Sequence, residues 1–326
     1  MELPPSCLTP PPNTRAIRES PPPDAKGLTW RVYCDAPSPA SFTGIIHGAR
    51  LHERFATNFF TTDRFYEDAA RGELPTYSFI EPNLWNGHND MHPPISALLP
   101  GLDFDAPSAL LGGEDLLAKV YDAIRTSSSD RGSNVFNTLL MVVFDEHGGT
   151  YDHVAPPAAN PPDPNAPAGQ MDFTFDRLGV RLPAIAISPW ISEKTVINDV
   201  YRHTSVIRTM RERWDLGSPL TRRDADAPEL ASILVRDKPR PPEEWPDVVA
   251  QQVPAFGRPL LPLDAPLSPL GQTFAMMSLG LVKQLGHTAP DIRKPGDLDG
   301  REAIAQVREA VGRLFPGLQS ASSSPV

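Results

Sequence analysis

One short segment of the chain concentrates residues that could carry out chemistry. Residues Phe144–His153 read FDEHGGTYDH and directly follow the apolar run Thr138–Val143. The adjacent acids Asp145 and Glu146 would repel each other, and removal from water would raise their pKa values unless a cation lies between them. The pair therefore predicts a bound divalent cation or a basic ligand, since carboxylate oxygens are suitable partners for either.

Neighbouring residues strengthen this interpretation. His147, Asp152 and His153 follow closely behind the acidic pair. An isolated Asp-Glu pair is more often a solvated turn, and a lone histidine is often satisfied in the core, but so many such residues together favour a site. Gly148 and Gly149 allow backbone angles and close approaches that larger residues forbid.

Strands must deliver this segment to a place where ligands bind. The runs Leu139–Phe144 and Leu182–Ile187 have the continuous apolar character of strands buried on both faces. In an open α/β sheet, ligands gather at the carboxyl edge, where such strands end. Further predicted strands are 28–33 and 76–80, and predicted helices are 41–55, 63–71, 113–127, 205–214, 270–285 and 299–315. Strands alternating with helices predict an α/β fold with a mainly parallel central sheet flanked by helices.

Composition excludes several classes of protein. The chain has 326 residues and a formal net charge of −10, so it has no basic surplus for general nucleic-acid binding. Its two cysteines, Cys7 and Cys34, are too few for a disulfide framework and lack the spacing of a zinc site. No stretch approaches the roughly 20 apolar residues of a transmembrane segment. The arginines of 208–213 are interpreted as the basic outer face of a helix.

The chain divides into three predicted parts. Residues 1–26 are a proline-rich lead-in that we expect to be disordered, residues 27–235 form the α/β domain, and residues 236–326 form an irregular and helical extension. The start of the chain carries no signal-peptide pattern. Localisation therefore stays open between the cytoplasm, for the chain as given, and secretion, if a longer natural start carries a signal.

Several segments occur in the order and spacing of one known family. They are Tyr77–Pro82, Asn89–Pro94, Phe144–Pro157, Leu178–Pro189 and His203–Arg208. Together they resemble the phosphoesterase family of phosphatidylcholine-preferring phospholipases C and acid phosphatases, which belongs to the alkaline-phosphatase-like superfold. The resemblance extends over residues 27–235. It implies a three-layer sandwich, in which helices flank a mainly parallel sheet and a metal lies at the strand ends.

The resemblance also implies a reaction, the hydrolysis of a phosphate ester. In this family a hydroxyl group attacks phosphorus, and water then resolves the phospho-enzyme. Asp145 and Glu146 align with the acidic pair that binds a divalent metal cation, whose identity the sequence leaves open. His92, His147 and His153 are the candidate catalytic residues, which would bind phosphate or protonate the leaving alkoxide.

Three more residues are candidates for substrate binding: Asn89, Asp90 and His203. Each has a structural alternative that stays open at this point. Asn89 and Asp90 could form an Asx turn before the following prolines. His203 could serve only to begin the helix that follows it.

The sequence also departs from the family pattern. A Glu-Asn-x-Ser-Phe-Asp segment that supplies metal ligands and a Thr-x-Pro-Asn-Arg segment that supplies the nucleophile do not occur, so the fold is expected to be truncated at its N-terminus and the nucleophile is unknown. Three explanations compete. The chain is a fragment of a longer active protein, which is the favoured explanation, or a degenerate homologue, or it uses another hydroxyl from Thr9, Ser38, Ser41 or Thr43.

The leading hypothesis is therefore metal-dependent hydrolysis of phosphate esters of phospholipase C type. The substrate would be a phospholipid, another phosphodiester or a phosphomonoester. The rival hypothesis is a catalytically impaired fragment or pseudoenzyme that binds a phosphate-bearing ligand without turnover. A sulfatase-like hydrolase would need a Cys/Ser-x-Pro-x-Arg turn, which the sequence lacks. The sequence does not indicate an oligomeric state.

Overall fold

The structure divides into two compact units. The computed structural model describes residues 26–35, 40–84, 89–91, 108–249, 269–287, 300–312 and 314–318. One unit, termed the sheet unit, comprises residues 30–135 and 245–326, and the other, termed the turn unit, comprises residues 1–29 and 136–244. Cys7, Thr9, Ser38 and most of the predicted lead-in lie outside the described residues. The three predicted domain boundaries stay predictions.

Strands and helices alternate along the described chain, as predicted. The strands are β1 (Trp30–Cys34), β2 (Phe59–Thr61), β3 (Tyr77–Glu81), β4 (Leu140–Val143) and β5 (Ala184–Ile187). The α-helices are α1 (Phe42–Ile46), α2 (Gly48–Leu51), α3 (Phe55–Asn58), α4 (Thr62–Arg71), α5 (Ser108–Arg125), α6 (His203–Trp214), α7 (Arg222–Ala225), α8 (Pro269–Gln284) and α9 (Gly300–Gly312). Short 3₁₀ helices lie at His52–Arg54, Val135–Asn137, Gln170–Asp172, Leu230–Ile233, Pro242–Glu244 and Pro316–Leu318. None of the helices in these described ranges is both long and apolar enough to cross a membrane.

The sheet unit contains a parallel three-stranded sheet in the order β2-β1-β3. Trp30 pairs with Tyr77 at one end, and Cys34 pairs with both Thr61 and Glu81 at the other end. All three strands therefore finish together at one carboxyl edge. This arrangement confirms the prediction of a parallel sheet for this unit.

Alternation along β1 gives the sheet two different faces. Val32 and Cys34 face an apolar cluster with Phe55 and Phe59, which the late helices complete. The other buried members of this cluster are Ala40, Ile45, Ala275, Leu279, Leu281, Val282, Val307, Ala310, Val311, Phe315 and Leu318. Because α8 and α9 supply so many of these side chains, the C-terminal helices are part of the core of the sheet unit.

The opposite face of the sheet is built around a buried carboxylate. Asp68, on α4, is fully buried. Its Oδ2 accepts a hydrogen bond from the Tyr33 hydroxyl at 2.6 Å and another from Arg31, and its Oδ1 accepts from Arg64 Nε at 2.7 Å. Burial and the contact with Asp68 raise the pKa of Tyr33, so this hydroxyl remains a donor. The surrounding donors offset the cost of removing the carboxylate from water.

The predicted helix 41–55 is broken into short pieces. Ser41 caps α1 as predicted, because its hydroxyl accepts a hydrogen bond from the backbone nitrogen of Gly44. The helix then stops at His47, whose φ of −100° and ψ of 17° are not helical. The predicted end of α4 is confirmed, since Gly72 adopts a left-handed φ of 74°. Strand β2 was not predicted, because three residues are too few for a recognisable pattern.

The turn unit contains an antiparallel strand pair. Leu140 of β4 lies opposite Ile187 of β5, and Val143 lies opposite Ala184. Two expectations are therefore wrong for these strands. They do not extend a parallel sheet, and they are not buried on both faces, because Val143 and Ile185 are exposed. A continuous apolar run indicates a strand but does not fix the direction of its partner.

We had expected the arginines of α6 to form an outward-facing basic surface, but of the three only Arg213 is exposed. Arg208 Nη1 donates to the carbonyl oxygen of Ala225 at 2.7 Å. Arg211 is buried, with its Nε 3.5 Å from Oδ2 of the buried Asp224. These two side chains tie α6 to α7, and the helical periodicity that placed the arginines on one face did not show what that face packs against.

Close packing of α1 against the aromatic core gives a first prediction. A Cβ atom at Gly44 would lie 2.6 Å from the ring of Phe315, which stacks on Phe55 with centroids 4.1 Å apart. Gly44→Ala should therefore lower the free energy of unfolding by about 1–3 kcal/mol through overpacking. Gly280→Ala, inside α8 with nothing within 4 Å of its added Cβ, is the matched control and should be neutral or stabilising by up to about 1 kcal/mol. Urea unfolding of both variants measures this, and equal effects would contradict the packing.

Candidate functional site

The acidic turn, Phe144–His153, leaves β4 and lies in solvent. Asp145 and Glu146 are both exposed. The backbone nitrogen of Glu146 donates to Asp145 Oδ1 at 3.1 Å, and the backbone nitrogen of Gly148 donates to Glu146 Oε2. Gly148 and Gly149 have left-handed φ values of 62° and 75°. The glycines therefore reverse the chain as predicted, and the acids partly organise their own turn.

His203 joins the acidic turn to α6. Its Nε2 lies 2.8 Å from the carbonyl oxygen of Phe144, the residue immediately before Asp145. A carbonyl oxygen can only accept, so Nε2 carries the proton in this contact. His203 is also the first residue of α6, where the backbone nitrogen of Arg202 donates to Ser205 Oγ at 3.1 Å. The histidine thus begins a helix and contacts the candidate site at the same time.

The second half of the acidic turn is held by an arginine. Arg181 Nε and Nη2 donate to the two carboxylate oxygens of Asp152 at 2.7 and 2.8 Å. These hydrogen bonds, together with one from the backbone nitrogen of Val154, hold the pKa of Asp152 well below its usual range. His153 is exposed, with Nδ1 3.6 Å from Asp152 Oδ1. Asp152 is therefore a permanent anion that anchors the turn and not a proton donor.

A second polar arrangement, termed the sheet-edge cluster, lies at the carboxyl edge of the parallel sheet. It comprises Asp35, Ser41, Thr62, Glu81 and Asn89. The Asp35 carboxylate accepts from the Thr62 hydroxyl at 2.8 Å and from Asn89 Nδ2 at 2.6 Å. The backbone nitrogen of Asp35 donates to the carbonyl oxygen of Glu81 at 2.8 Å. Residues after each of the three strands thus meet at this edge.

Glu81 is the buried member of this cluster. Its carboxylate accepts hydrogen bonds from the Ser41 hydroxyl at 2.9 Å, from the backbone nitrogen of Phe42 at 2.6 Å and from that of Thr43 at 3.0 Å. A carboxylate suits the first turn of a helix, where backbone N–H groups have no partner within the helix. Of the substitute nucleophiles considered above, Ser41 has its hydroxyl engaged with Glu81, whereas Thr43 contacts Glu81 through its backbone nitrogen.

The segment that carries the candidate substrate-binding residues is fixed at its start. The backbone nitrogen of Asn83 donates to Asn89 Oδ1 at 2.7 Å, and the backbone nitrogen of Asn89 donates to the carbonyl oxygen of Asn83 at 3.0 Å. Asp90 follows directly and is half-buried. Met91 then adopts a left-handed φ of 63°, and its side chain packs where a Cβ on Gly113 would lie. Such a backbone conformation is unfavourable for methionine and persists because its surroundings impose it. His92 lies outside the described residues.

The acidic turn offers donors of the right type for a divalent cation, but few of them. Two carboxylates are hard oxygen ligands, and a complete calcium or magnesium site needs more. Glu146 Oε2 lies 3.8 Å from His147 Nδ1. Nowhere in the described ranges do three His, Cys, Asp or Glu side chains converge so that they could hold a metal ion. The residues that the structure describes therefore do not form a complete metal site, and the metal role of Asp145 and Glu146 stays a prediction.

The predicted site residues thus fall into two groups. His147, His153 and His203 lie with Asp145 and Glu146 in or beside the acidic turn of the turn unit. Asn89 and Asp90 lie at the carboxyl edge of the sheet unit. The catalytic, substrate-binding and metal roles assigned to these residues stay predictions.

Similarity to known proteins covers both groups. Residues 23–217 match the model of the Phosphoesterase family, which is more than half of the chain. The chain belongs to the phosphoesterase family. This finding confirms the resemblance, because every segment that carries it, from Tyr77 to Arg208, lies within the matched residues.

Relatives within this family are phospholipases C from plants and bacteria. The chain is 35% identical to non-specific phospholipase C6 of Arabidopsis thaliana over 52% of this chain and 32% of that protein. It is 31% identical to the non-hemolytic phospholipase C of Pseudomonas aeruginosa over 60% of this chain and 29% of that protein. It is 30% identical to phospholipase C B of Mycobacterium tuberculosis over 64% of this chain and 41% of that protein. The phosphoesterase chain thus spans well under half the length of each.

Sequence reasoning missed several residues that build these sites. Asp35 directly follows β1 and Glu81 ends β3, and an acid at the end of a strand is the same signal that pointed to Asp145. That signal could have found both. Arg181 lies in the family segment Leu178–Pro189, but its contact with Asp152 gave no signal, because the two residues are far apart in sequence and only the folded chain brings them together.

The contacts of Asp35 yield a prediction. Burial, and then the charge of Asp35, raise the pKa of Tyr66 to about 12. Asp35→Asn should lower the pKa of Tyr66, because it removes a negative charge. It should also lower the free energy of unfolding by about 1–3 kcal/mol, since Thr62 and Asn89 donate to different oxygens of Asp35 and an amide keeps only one of them. Spectrophotometric titration of tyrosine and urea unfolding measure the two effects. Asp63→Asn, which changes a more weakly coupled acid on α4, is the control and should shift the pKa less.

The Asp152–Arg181 pair gives a prediction about pH. A depressed pKa in the folded state means that the pair stabilises the protein above the ordinary pKa of an aspartate, and that this contribution is lost as pH falls through the folded-state value. Arg181→Gln should raise the pKa of Asp152 toward its ordinary range and remove this pH dependence. Carboxyl-carbon NMR titration measures the pKa. The control is Arg177→Gln, because Arg177 is equally exposed and is paired with Asp176. If the pKa of Asp152 is the same in both variants as in the unaltered chain, Arg181 is not the cause of its low value.

Proposed function

We propose that this chain carries the acidic-turn part of a phospholipase C-type active site that hydrolyses phosphate esters. The observation that carries the proposal is the contact between His203 and the Phe144 carbonyl, which holds the start of the acidic turn against α6. Two segments of the family pattern, far apart in sequence, are thereby joined at their polar residues. Membership of the phosphoesterase family and relatives named phospholipase C support a phosphate ester as the substrate.

The residues of the turn fit distinct tasks in such a reaction. Asp145 and Glu146 would contribute carboxylate ligands to a divalent cation, which when bound supplies positive charge beside a phosphoryl group. His147 and His153 are exposed, and we propose that their imidazoles bind the phosphate or donate a proton to the leaving alkoxide. Arg181 keeps Asp152 ionised, so that the turn retains a fixed anion behind these histidines.

Asn89 and Asp90 are the residues of the sheet unit that we propose for substrate binding, and His92 keeps the catalytic role proposed above. Asn89 is fixed by Asp35 and Asn83, so its neighbours leave the sheet edge at a defined point. A rigid support of this kind favours accurate placement of substrate-binding groups. An alkaline-phosphatase-like sheet is the fold that we propose for the complete phosphoesterase domain, since the parallel sheet β2-β1-β3 and its polar carboxyl edge accord with it.

Hydrolysis of p-nitrophenylphosphorylcholine, a soluble phosphodiester, tests the proposal. Asp145→Asn and Glu146→Gln should each lower kcat/KM by roughly 100-fold or more, the range found when a group that stabilises transition-state charge is removed. Calorimetric titration with Mn²⁺ should show binding to the unaltered chain and weaker binding to both variants. Asp163→Asn is the matched control, because Asp163 also accepts a hydrogen bond within its own turn, from Asn165, and it should change neither quantity.

Three outcomes would decide against parts of this proposal. Turnover that survives both substitutions would show that Asp145 and Glu146 take no part in the reaction. Turnover that occurs without Mn²⁺ binding and is insensitive to a chelator would show that the reaction does not need a cation. Calorimetric binding of phosphocholine with no turnover in any condition would favour the rival function, a phosphate-binding protein without catalysis.

A further inference from the structure

One loop of the turn unit exposes apolar side chains at its tip. This segment, termed the apolar loop, is Gln170–Phe175. The Met171 side chain is fully exposed, and Phe173 and Phe175 are 38% and 43% exposed. An exposed aromatic or methionine side chain is ordinary when it stands alone. Three within five positions form a continuous apolar tip, which calls for a physical explanation.

The backbone of the apolar loop is strained where it presents these side chains. Three of its residues have left-handed φ values: 55° at Met171, 58° at Asp172 and 57° at Phe175. The left-handed region is unfavourable for residues with a Cβ atom, and a bulky residue there indicates a constraint from the fold. The loop thus accepts backbone strain in a conformation that leaves apolar atoms in water. Both contributions oppose folding, so neither explains why the loop has this shape.

Contacts at the base of the loop hold this conformation. The backbone nitrogen of Gly169 donates to the carbonyl oxygen of Phe173 at 2.8 Å, and the Phe173 and Phe175 rings meet edge to face with centroids 4.9 Å apart. Arg223 Nη2 donates to the carbonyl oxygens of Phe175 and Arg177 at 2.6 and 3.2 Å. The loop is therefore fixed to α7 at its base and is not a loose excursion of the chain.

The size and charge of the tip identify its partner. Stable protein interfaces bury about 800 Å² on each side, which three side chains on a convex loop cannot supply. Charges of both signs surround the tip at Asp172, Asp176 and Arg177, and Arg177 lies over the Phe173 ring at 5.9 Å. Short apolar projections flanked by polar groups suit the boundary between lipid headgroups and acyl chains. Mixed charge suits zwitterionic headgroups better than strongly anionic ones.

We propose that the apolar loop inserts Met171, Phe173 and Phe175 into the surface of a zwitterionic phospholipid layer and thereby holds the phosphoesterase on aggregated substrate. This proposal rests on the proposed function, because it assumes that the substrate is a phospholipid. The relatives named phospholipase C accord with that substrate class. The loop would raise the local concentration of substrate and take no part in the reaction itself.

Partitioning of the full chain onto phosphatidylcholine vesicles, measured by co-sedimentation, tests the proposal. Met171→Asn is the informative variant, because asparagine adopts the left-handed conformation readily and the exposed position makes few contacts. It should weaken partitioning by roughly tenfold, as expected when one large apolar side chain no longer leaves water. The temperature of unfolding should not fall, because asparagine relieves the left-handed strain at this position and leaves less apolar surface in water. Val235→Asn, at another exposed apolar position of the turn unit that is 61% exposed, is the matched control and should partition normally.

A second variant gives a direct optical readout. Met171→Trp should partition at least as well as the unaltered chain, since tryptophan favours the interfacial region. Its fluorescence should shift to shorter wavelength when vesicles are added. Two results would overturn the proposal: equal partitioning of Met171→Asn and the unaltered chain, or an unshifted tryptophan on sedimented vesicles. A change in oligomeric state on Met171→Asn, measured by light scattering and without loss of vesicle binding, would instead assign the loop to a protein contact.

The hydrolysis assay separates this proposal from the function on which it rests. Met171→Asn should hydrolyse p-nitrophenylphosphorylcholine at the unaltered rate, because that substrate is monomeric. Vesicle binding without hydrolysis of any phosphate ester would support the docking surface and overturn the proposed function. Hydrolysis of the soluble ester without vesicle binding would support the proposed function and overturn the docking surface.

Discussion

The arrangement of the sheet unit depends on how one buried carboxylate is satisfied. Glu81 ends β3 inside the protein, where an ionised carboxylate without partners would be strongly unfavourable. The Ser41 hydroxyl and the first backbone nitrogens of α1 surround it, so α1 begins at the end of β3. Pairing of β1 with β3 places Asp35 beside Glu81, and Asn89 donates a hydrogen bond to Asp35. A structural carboxylate thus determines where the polar edge of the sheet can form.

The acidic turn follows a different logic. Asp145 and Glu146 are exposed to water, and glycines with positive φ close the turn. What the fold contributes is position: His203 holds the residue before the acids, and Arg181 holds Asp152 behind them. A turn fixed at both ends and open between them is suited to a ligand that arrives from solvent. The two places therefore use carboxylates in opposite ways. At the sheet edge a buried carboxylate accepts hydrogen bonds that fix the start of α1, and in the acidic turn the carboxylates are accessible from solvent.

Local sequence patterns predicted the elements better than their partners. β1, β3, α4 and both late helices lie close to their predicted positions, because aromatic and β-branched runs, a terminal glycine and helical periodicity act over a few residues. The direction of β5 relative to β4 was not predictable, since an apolar run looks the same in parallel and antiparallel pairs. The inward contact of Arg211 was missed for a similar reason: Asp224 is buried opposite it only after α7 has folded back. Family motifs located Asp145 and Glu146, but Arg181 became visible only in three dimensions.

The aromatic cluster of the sheet unit has a consequence for synthesis of the chain. Phe55 and Phe59 lie in the first third of the chain. Phe315, which stacks on Phe55 and meets Phe59 edge to face, is synthesised much later. The ribosome therefore releases β1, β2 and α3 long before the residues that cover them exist. Pairings so distant in sequence slow folding, and the incomplete sheet exposes apolar surface in the meantime. The core of the sheet unit is therefore complete only after α8 and α9 have been synthesised.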